Sequence, residues 1–264
     1  MASPDLDARL LAQHAFGIDA MSLVRREREA LPEGWVAALE ALAERRLAGE
    51  PVSRIVGERE FWGLKFALNG ATLDPRPETE ILVADAIATA QTRPHPRILD
   101  LGTGSGAIAI AIAAALPRAQ LVATDLAEEA LAVARANAER HRVAGRIAFL
   151  QGSWWQAVPA GDLFDVIVSN PPYIASDIIP KLQPEVRLFD PRAALDGGFD
   201  GLDAYRAIAA QAARRLVPDG VVLLEIGANQ GETVCRILSR AGFARVEVQK
   251  DLAGLDRLVS ASHS

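Results

Sequence analysis

The 264-residue sequence predicts an α/β fold: a mostly parallel, seven-stranded sheet with helices on both faces, its last strand antiparallel, preceded by a small N-terminal helical bundle. Three observations carry this reading. From Arg97 onward, strand-like and helix-like segments alternate, which is the pattern of crossover units in a parallel sheet. The last two strand candidates are joined only by Lys250 to Asp256, too short a link for a parallel crossover, so that pair is expected to be antiparallel. Before Pro51, leucines recur at helical spacing and nothing alternates as a strand does.

Three stretches follow from this: a helical module over 1–50, a hairpin and linker over 51–80, and the α/β domain over 81–264. In the first, Leu6, Leu10 and Leu11, then Val36, Leu39, Leu42 and Leu47, mark apolar helix faces, and Leu31-Pro32-Glu33-Gly34 separates them. In the second, Glu60-Phe61-Trp62 and Lys65-Phe66-Ala67-Leu68 flank Gly63-Leu64 and predict a short hairpin packed through Phe61 and Trp62. The segment Asp74-Pro75-Arg76-Pro77-Glu78-Thr79-Glu80 carries two prolines that forbid regular structure. Thr79 is placed to cap a helix starting near Glu80. Arg76 and Glu78 suit either a lid over a ligand or a surface pair. In the third stretch, strands are expected at 97–101, 120–124, 147–150, 165–169, 221–226, 245–249 and 257–261, and helices at 107–116, 128–141, 202–216 and 232–241. Seven strands with a reversed last member form the pattern of the Rossmann-like class I methyltransferase sheet.

Composition narrows the function classes. Half the residues are hydrophobic but only 5% are aromatic, so the core is mainly aliphatic. The net charge of −6 opposes a protein built to grip a nucleic-acid backbone, which needs a basic surface. The single cysteine, Cys235, excludes an internal disulfide framework. The start MASPDLDARLLAQ lacks the apolar core of a signal peptide, and the most apolar run, 107–116, is too short to span a membrane. A cytoplasmic protein is expected. His14, His95, His141 and His263 show no ligand spacing, so no metal site is expected.

The strand at 97–101 runs into Gly102-Thr103-Gly104-Ser105-Gly106 and then a helix. Glycines let a backbone turn tightly and approach a ligand, and in such sheets ligands sit beyond the carboxyl ends of the strands. The next strand ends at Asp125, where a carboxylate can accept the two hydroxyls of a ribose. The loop satisfies the dinucleotide fingerprint as well as the requirements of S-adenosyl-L-methionine. Asp100, just before the loop, favours the latter: it can organise the loop backbone near the sulfonium and amino-acid end, or simply cap the loop.

The segment that speaks to chemistry is Ser169-Asn170-Pro171-Pro172-Tyr173, after the fourth strand of the α/β series. That strand is expected beside the first, so its end opens on the same ligand. The prolines hold the backbone extended. An amide or aromatic amino nitrogen is a poor nucleophile because its lone pair is delocalised. The Asn170 side-chain oxygen and the Pro171 carbonyl can hold its two N–H groups and aim the lone pair at a methyl carbon, while Tyr173 offers a flat face. Orientation of this kind supplies at most roughly 7–11 kcal/mol of barrier lowering.

PVSRIVGERE at 51–60, FWGLKF at 61–66, PRPETE at 75–80, ILDLGTGSG at 98–106, NPPY at 170–173, EIGANQG at 225–231 and DLAGLDR at 251–257 occur in one order. Together they resemble the peptide chain release factor glutamine-N5 methyltransferase family, over nearly the whole chain. The resemblance implies S-adenosyl-L-methionine as cofactor and, as partner and substrate, the Gly-Gly-Gln loop glutamine of release factors, docked with help from the N-terminal helices. It implies that Gly102, Thr103, Gly104, Ser105 and Gly106 wrap the methionine end, that Asp125 holds the ribose and that Trp154 lies on the adenine, with neighbouring Trp155 as the alternative. Asn170, Pro171, Pro172 and Tyr173 would grip the glutamine amide, Asn170 also touching the cofactor. Two positions depart from the family's pattern. Asp74 replaces an apolar residue, which is expected only to alter a strand edge, and Ser153 stands where an acid is common. Glu225 suits either the substrate side or a backbone-bonding role. The motif NPPY also occurs in nucleic-acid adenine-N6 and guanine-N2 methyltransferases, so that activity stays as the alternative. A silent scaffold is opposed by the intact glycine loop, ribose acid and NPPY string.

Overall fold

The computed structural model describes residues 3–263, so the expected outer domain limits at 1 and 264 lie outside the described residues. The N-terminal module holds α1 (Pro4–Phe16), α2 (Ala20–Arg25) and α3 (Trp35–Leu47). Pro4 opens α1 where its missing N–H is harmless, and Gly17 ends it with a left-handed φ of 63°. Phe16 stacks on Trp35 with ring centroids 4.2 Å apart, fixing α1 against α3. The module has little core of its own: Leu11 and Ala12 are buried in α1, while Met21, Val24, Leu31, Val36 and Leu47 stay exposed.

A short helix α4 (Val52–Val56) leads into the hairpin β1 (Glu58–Phe61) and β2 (Leu64–Ala67), with Trp62 at φ 54° in its turn. Phe61 and Phe66 from this hairpin are buried in the main core. The chain then passes through a 3-10 turn, Pro77–Thr79, into α5 (Glu80–Ala90). Thr79 does not cap α5; its hydroxyl is used elsewhere, as described below.

The α/β domain follows as β3 (Arg97–Leu101), α6 (Ala107–Ala115), β4 (Gln120–Asp125), α7 (Glu128–Arg140), β5 (Ile147–Gln151), β6 (Phe164–Ser169), α8 (Pro184–Phe189), α9 (Asp203–Ala212), β7 (Leu216–Glu225), α10 (Gly231–Arg240), β8 (Arg245–Lys250) and β9 (Asp256–Ser262). The sheet order is β5-β4-β3-β6-β7-β9-β8. All neighbours are parallel except that β9 runs antiparallel to both β7 and β8, between which it is inserted. The expected reversed last strand is therefore present, and β6 lies beside β3 as expected.

Strand alternation divides the core in two. Ile98, Val166, Val168 and Leu223 face a layer built on α5 and α6, while Leu99, Leu101, Ile167, Val222 and Leu224 face one built on α9 and α10. Helix α6 is buried from Ala107 to Ala113, as its all-round apolar sequence requires. The carboxyl ends of β3, β4 and β6 meet at one edge, where the order reverses direction, and they carry the glycine loop, Asp125 and Asn170 there.

Candidate active site

The glycine loop is held from three sides. The N–H groups of Gly102 and Thr103 both donate to the Thr124 carbonyl, at 2.9 and 2.8 Å. Thr103 Oγ1 donates to Asp100 Oδ2 at 2.6 Å. Asn137 on α7 donates from Nδ2 to the Ser105 carbonyl at 2.9 Å. At Gly106 a left-handed φ of 82° coincides with close packing: a Cβ there would stand 2.8 Å from Ile110 Cδ1 and 3.1 Å from Ala134 Cβ. Only glycine meets both conditions without strain.

Asp100 is fully buried and is not part of the cavity wall. It takes the loop-cap role through Thr103, and its Oδ1 has no hydrogen-bond partner among the described residues. Burial, against the Thr103 hydrogen bond, pushes its carboxyl up to about 7.

The loop borders a cavity shared with the ends of β4 and β6. Gly102, Thr103, Gly104, Ser105, Asp125, Trp154 and Asn170 all line it, with Phe61, Leu73 and Ile108 as apolar wall. Gly106 lies behind, at the start of α6. Asp125 Oδ2 accepts from Gly104 N at 2.8 Å and Oδ1 from Ala127 N at 3.0 Å. A carboxylate offers about four lone-pair sites, so both oxygens keep capacity for hydroxyls. Trp154 stands in a short 3-10 turn with φ 47° and lines the cavity beside Ser153. Trp155 turns the other way into the core, where Nε1 donates to the carbonyls of Ala207 and Ile208 at 2.9 and 3.1 Å. The tandem thus divides into one wall residue and one core residue.

At the opposite side stands NPPY. Asn170 and Pro172 line the cavity; Pro171 is buried, and Tyr173 is half-buried against the core layer of α9 and α10, neither being part of the wall. Gln230, at the start of α10, clamps the motif: its Nε2 donates to the Tyr173 carbonyl at 2.9 Å and the Gly201 carbonyl at 3.2 Å, while Oε1 accepts from Gly227 N. At Gly201, φ is 74° and a Cβ would lie 2.4 Å from the Tyr173 oxygen.

Asn170 Nδ2 donates to Thr79 Oγ1 at 3.1 Å, and Thr79 Oγ1 donates to Glu225 Oε2 at 2.7 Å. Glu225, at the end of β7, is buried. Burial pushes its carboxyl up to about 7, although the Thr79 hydroxyl and the nearby Arg257 favour the charge and Glu78 opposes it. Its side chain accepts the hydrogen bond of the Thr79 hydroxyl, while its backbone carbonyl accepts from Tyr205 Oη at 3.0 Å.

Arg76 lines the cavity, but its partner is not Glu78. Its Nη2 lies 2.6 Å from Asp190 Oδ2, and Arg54 Nη2 lies 2.7 Å from Oδ1 of the same carboxylate. Asp74 does not edge a strand either: it is buried, and Oδ2 accepts from Ser53 Oγ at 2.5 Å, tying α4 to the turn before α5. Sequence reasoning missed Asp190, Pro191 and the small wall residues Ala193 and Ala194, because a loop of mixed residues carries no periodic signal. It also missed Gln230, although EIGANQG placed that residue just after a strand. Among the described residues no three His, Cys, Asp or Glu side chains are grouped to hold a metal, and no helix is long and apolar enough to cross a membrane.

The donor set fits S-adenosylmethionine: loop backbone for an amino-acid end, an aspartate with spare lone pairs for a diol, and an aromatic ring with apolar neighbours for a flat base. A dinucleotide sheet of order 3-2-1-4-5-6 lacks the reversed strand inserted here between β7 and β8.

Comparison with known proteins agrees. Residues 77–181 match the methyltransferase small domain and residues 1–57 the PrmC N-terminal domain. Among solved structures, the fold is shared with a methyltransferase from Pyrococcus furiosus, at TM-score 0.57 and 18% identity over 85% of this chain and 98% of that one. It is shared too with the hMettl16 catalytic domain in complex with MAT2A 3'UTR hairpin 6, at TM-score 0.63 and 18% identity over 78% of each chain. Release factor glutamine methyltransferases from Cereibacter sphaeroides and Bradyrhizobium diazoefficiens are 50% and 47% identical, over 97% of this chain and 90% and 87% of theirs. With identity of that depth running through both the helical module and the site-bearing sheet, the chain belongs to the release factor glutamine methyltransferase family.

Proposed function

We propose that the chain transfers a methyl group from S-adenosylmethionine to the side-chain amide nitrogen, N5, of the glutamine in the Gly-Gly-Gln loop of peptide chain release factors. The observation that carries this reading is the placing of Asn170 on the wall of the cavity that the glycine loop encloses. S-adenosylmethionine, when bound, supplies an electrophilic methyl on a sulfonium. The chain's own residues do the rest. Gly102 to Gly106 form the bed for the methionine end, Asp125 accepts the ribose hydroxyls, and Trp154 covers the adenine with Ser153 beside it.

Asn170 Oδ1 and the Pro171 carbonyl accept the two N–H groups of the glutamine amide. The amide plane is then fixed with its nitrogen toward the methyl carbon, and the positive charge that grows on nitrogen is met by two oxygen dipoles. The rigidity of Pro171-Pro172 and the Gln230 clamp keep these acceptors in place before substrate arrives. Tyr173 braces the motif against the core layer of α9 and α10. No protein base is needed, because the methylated nitrogen is acidic and loses its proton to water.

The partner is a protein, not a nucleic acid, and the N-terminal module is its docking element. Exposed Met21, Val24, Leu31, Val36 and Leu47 give that module apolar surface, and a cleft of mixed polar and apolar lining runs from Leu6 and Leu10 to Arg76, the residue it shares with the cavity. The reaction belongs in the cytoplasm, where release factors work.

The test is incubation of the full chain with S-adenosylmethionine and a purified release factor, then mass spectrometry of the tryptic peptide bearing Gly-Gly-Gln. A gain of one methyl on the glutamine is expected. Methyl transfer to DNA or RNA oligomers with none to the glutamine would replace this reading by the nucleic-acid amino methyltransferase.

A further inference from the structure

We infer that Thr79 and Glu225 form a relay that sets the polarity of Asn170, so that its carbonyl oxygen and not its amide nitrogen is presented to the substrate. They are positioning residues for the reaction proposed above, and the inference rests on that reading.

The two ends of a primary amide are nearly the same size, yet one accepts and the other donates hydrogen bonds. A substrate NH2 group needs acceptors. If the Asn170 amide turned over, N–H would face N–H, and the grip would become a repulsion. Something has to hold the amide one way round.

Three elements meet to do so: the 3-10 turn before α5 carries Thr79, the end of β7 carries Glu225, and the end of β6 carries Asn170. A hydroxyl has one proton. Thr79 gives it to Glu225 Oε2 at 2.7 Å, which leaves only lone pairs for Asn170. Those lone pairs match Nδ2, at 3.1 Å, and not Oδ1. Thr79 and Glu225 are both buried, Thr79 on the cavity wall beside Asn170.

The direction depends on Glu225 being ionised, since only then does it have nothing to donate. A protonated Glu225 can give its own proton to Thr79. The threonine proton is then free to bond Asn170 Oδ1, and the relay runs backwards. The groups around Glu225 are Arg257 on β9, Glu78 and Thr79 from the turn before α5, Asn170 and Tyr173 after β6, and Tyr205 on α9. Their sum, dominated by burial, puts the reversal near neutrality, with the carboxyl at about 7.

The experiment measures single-turnover methylation of a release factor by the full chain from pH 5.5 to 9, with cofactor affinity by calorimetry. Wild type is expected to lose rate below about pH 7. Thr79→Val, which removes the hydroxyl at constant volume, is expected to slow turnover by about tenfold or more while cofactor affinity stays within about threefold. Thr79→Ser is expected to restore most of the rate. Glu225→Gln, which has no proton to gain, is expected to lose the acidic limb. Thr79→Val combined with Glu225→Gln removes the buried charge and keeps the test open should the single valine variant fold poorly. A Thr79→Val rate within about threefold of wild type, or an unchanged acidic limb in Glu225→Gln, overturns the relay while leaving the methylation reading intact. A wild-type chain that methylates no glutamine overturns both.

Discussion

Asn170 and Asp125 face the same cavity and do different work in the proposed reaction, so their truncations separate. Asn170→Ala removes an acceptor needed only by the substrate amide. Turnover is expected to fall by about a hundredfold or more, the scale seen when one preorganised dipole is removed from a reacting group. Cofactor affinity, read by calorimetry, is expected to hold; near-normal turnover would refute the amide grip. Asp125→Ala removes the acceptor for Gly104 N and Ala127 N as well as for the ribose. Hydrogen bonds to a charged group contribute about 1.5–3 kcal/mol, so cofactor affinity is expected to drop by tenfold or more, with the rate at saturating cofactor much less affected. An unchanged affinity would remove Asp125 from the ribose role. At this scale the sequence was legible where a side chain in a local motif lines the cavity, as at Asp125, Trp154 and Asn170. It was not legible where a side chain serves another side chain across the fold. Thr79 looked like a cap, and Arg76 like part of a lid or a partner of Glu78, because pairings 146 and 114 residues apart leave no local pattern.

At the scale of elements, the glycine loop and the Asp190 clasp are pieces that hold the cavity wall in place. Gly106→Ala puts a methyl against Ala134 and Ile110 in a left-handed backbone. About 1–3 kcal/mol of destabilisation is expected, visible as a lower midpoint in thermal unfolding; an unchanged midpoint would mean that α6 and α7 have slack not evident here. Asp190 joins Arg54 and Arg76 in the loop after α8. Removing one partner of a buried ion pair costs about 3–5 kcal/mol. Asp190→Ala is therefore expected to lower the midpoint by roughly 6 °C or more for a chain of this size and to speed proteolytic cutting of the segment after β6. Cutting at the wild-type rate would show that the clasp does not hold that segment. The strands of the α/β domain were readable from their aliphatic runs. The short helices α4 and α8 were not, since five or six residues give too little periodicity to detect.

Over the whole molecule, two buried carboxyls shape the response to pH. Asp100 and Glu225 are both raised to about 7, while unfolded carboxyls titrate near 4. The folded state holds these protons more tightly, so their contribution to stability is complete below about pH 4 and is lost as pH rises to about 7. Asp100→Asn removes one of the two penalties. Its unfolding midpoint relative to wild type is expected to rise between pH 5 and pH 8; a difference that stays flat would show that Asp100 keeps an ordinary carboxylate pKa in the fold. The sheet architecture was legible because it rests on alternation and on one short connection. The insertion of β9 between β7 and β8 was not, because pairing partners are chosen by packing in space.

That insertion has a consequence for biosynthesis. Among the described residues, strand β8 pairs only with β9 in the sheet, and β7, which ends at Glu225, has β9 as its outer neighbour. A ribosome makes residues 256–262 after the other eight described strands. Until they emerge, β7 presents an open edge of unpaired amides and carbonyls, and β8 has nowhere to dock. The outer side of β7 is therefore sealed only by a segment made later than the strands that carry the cavity, and a chain lacking residues 256–262 would be a sticky, incomplete sheet instead of a weakened enzyme.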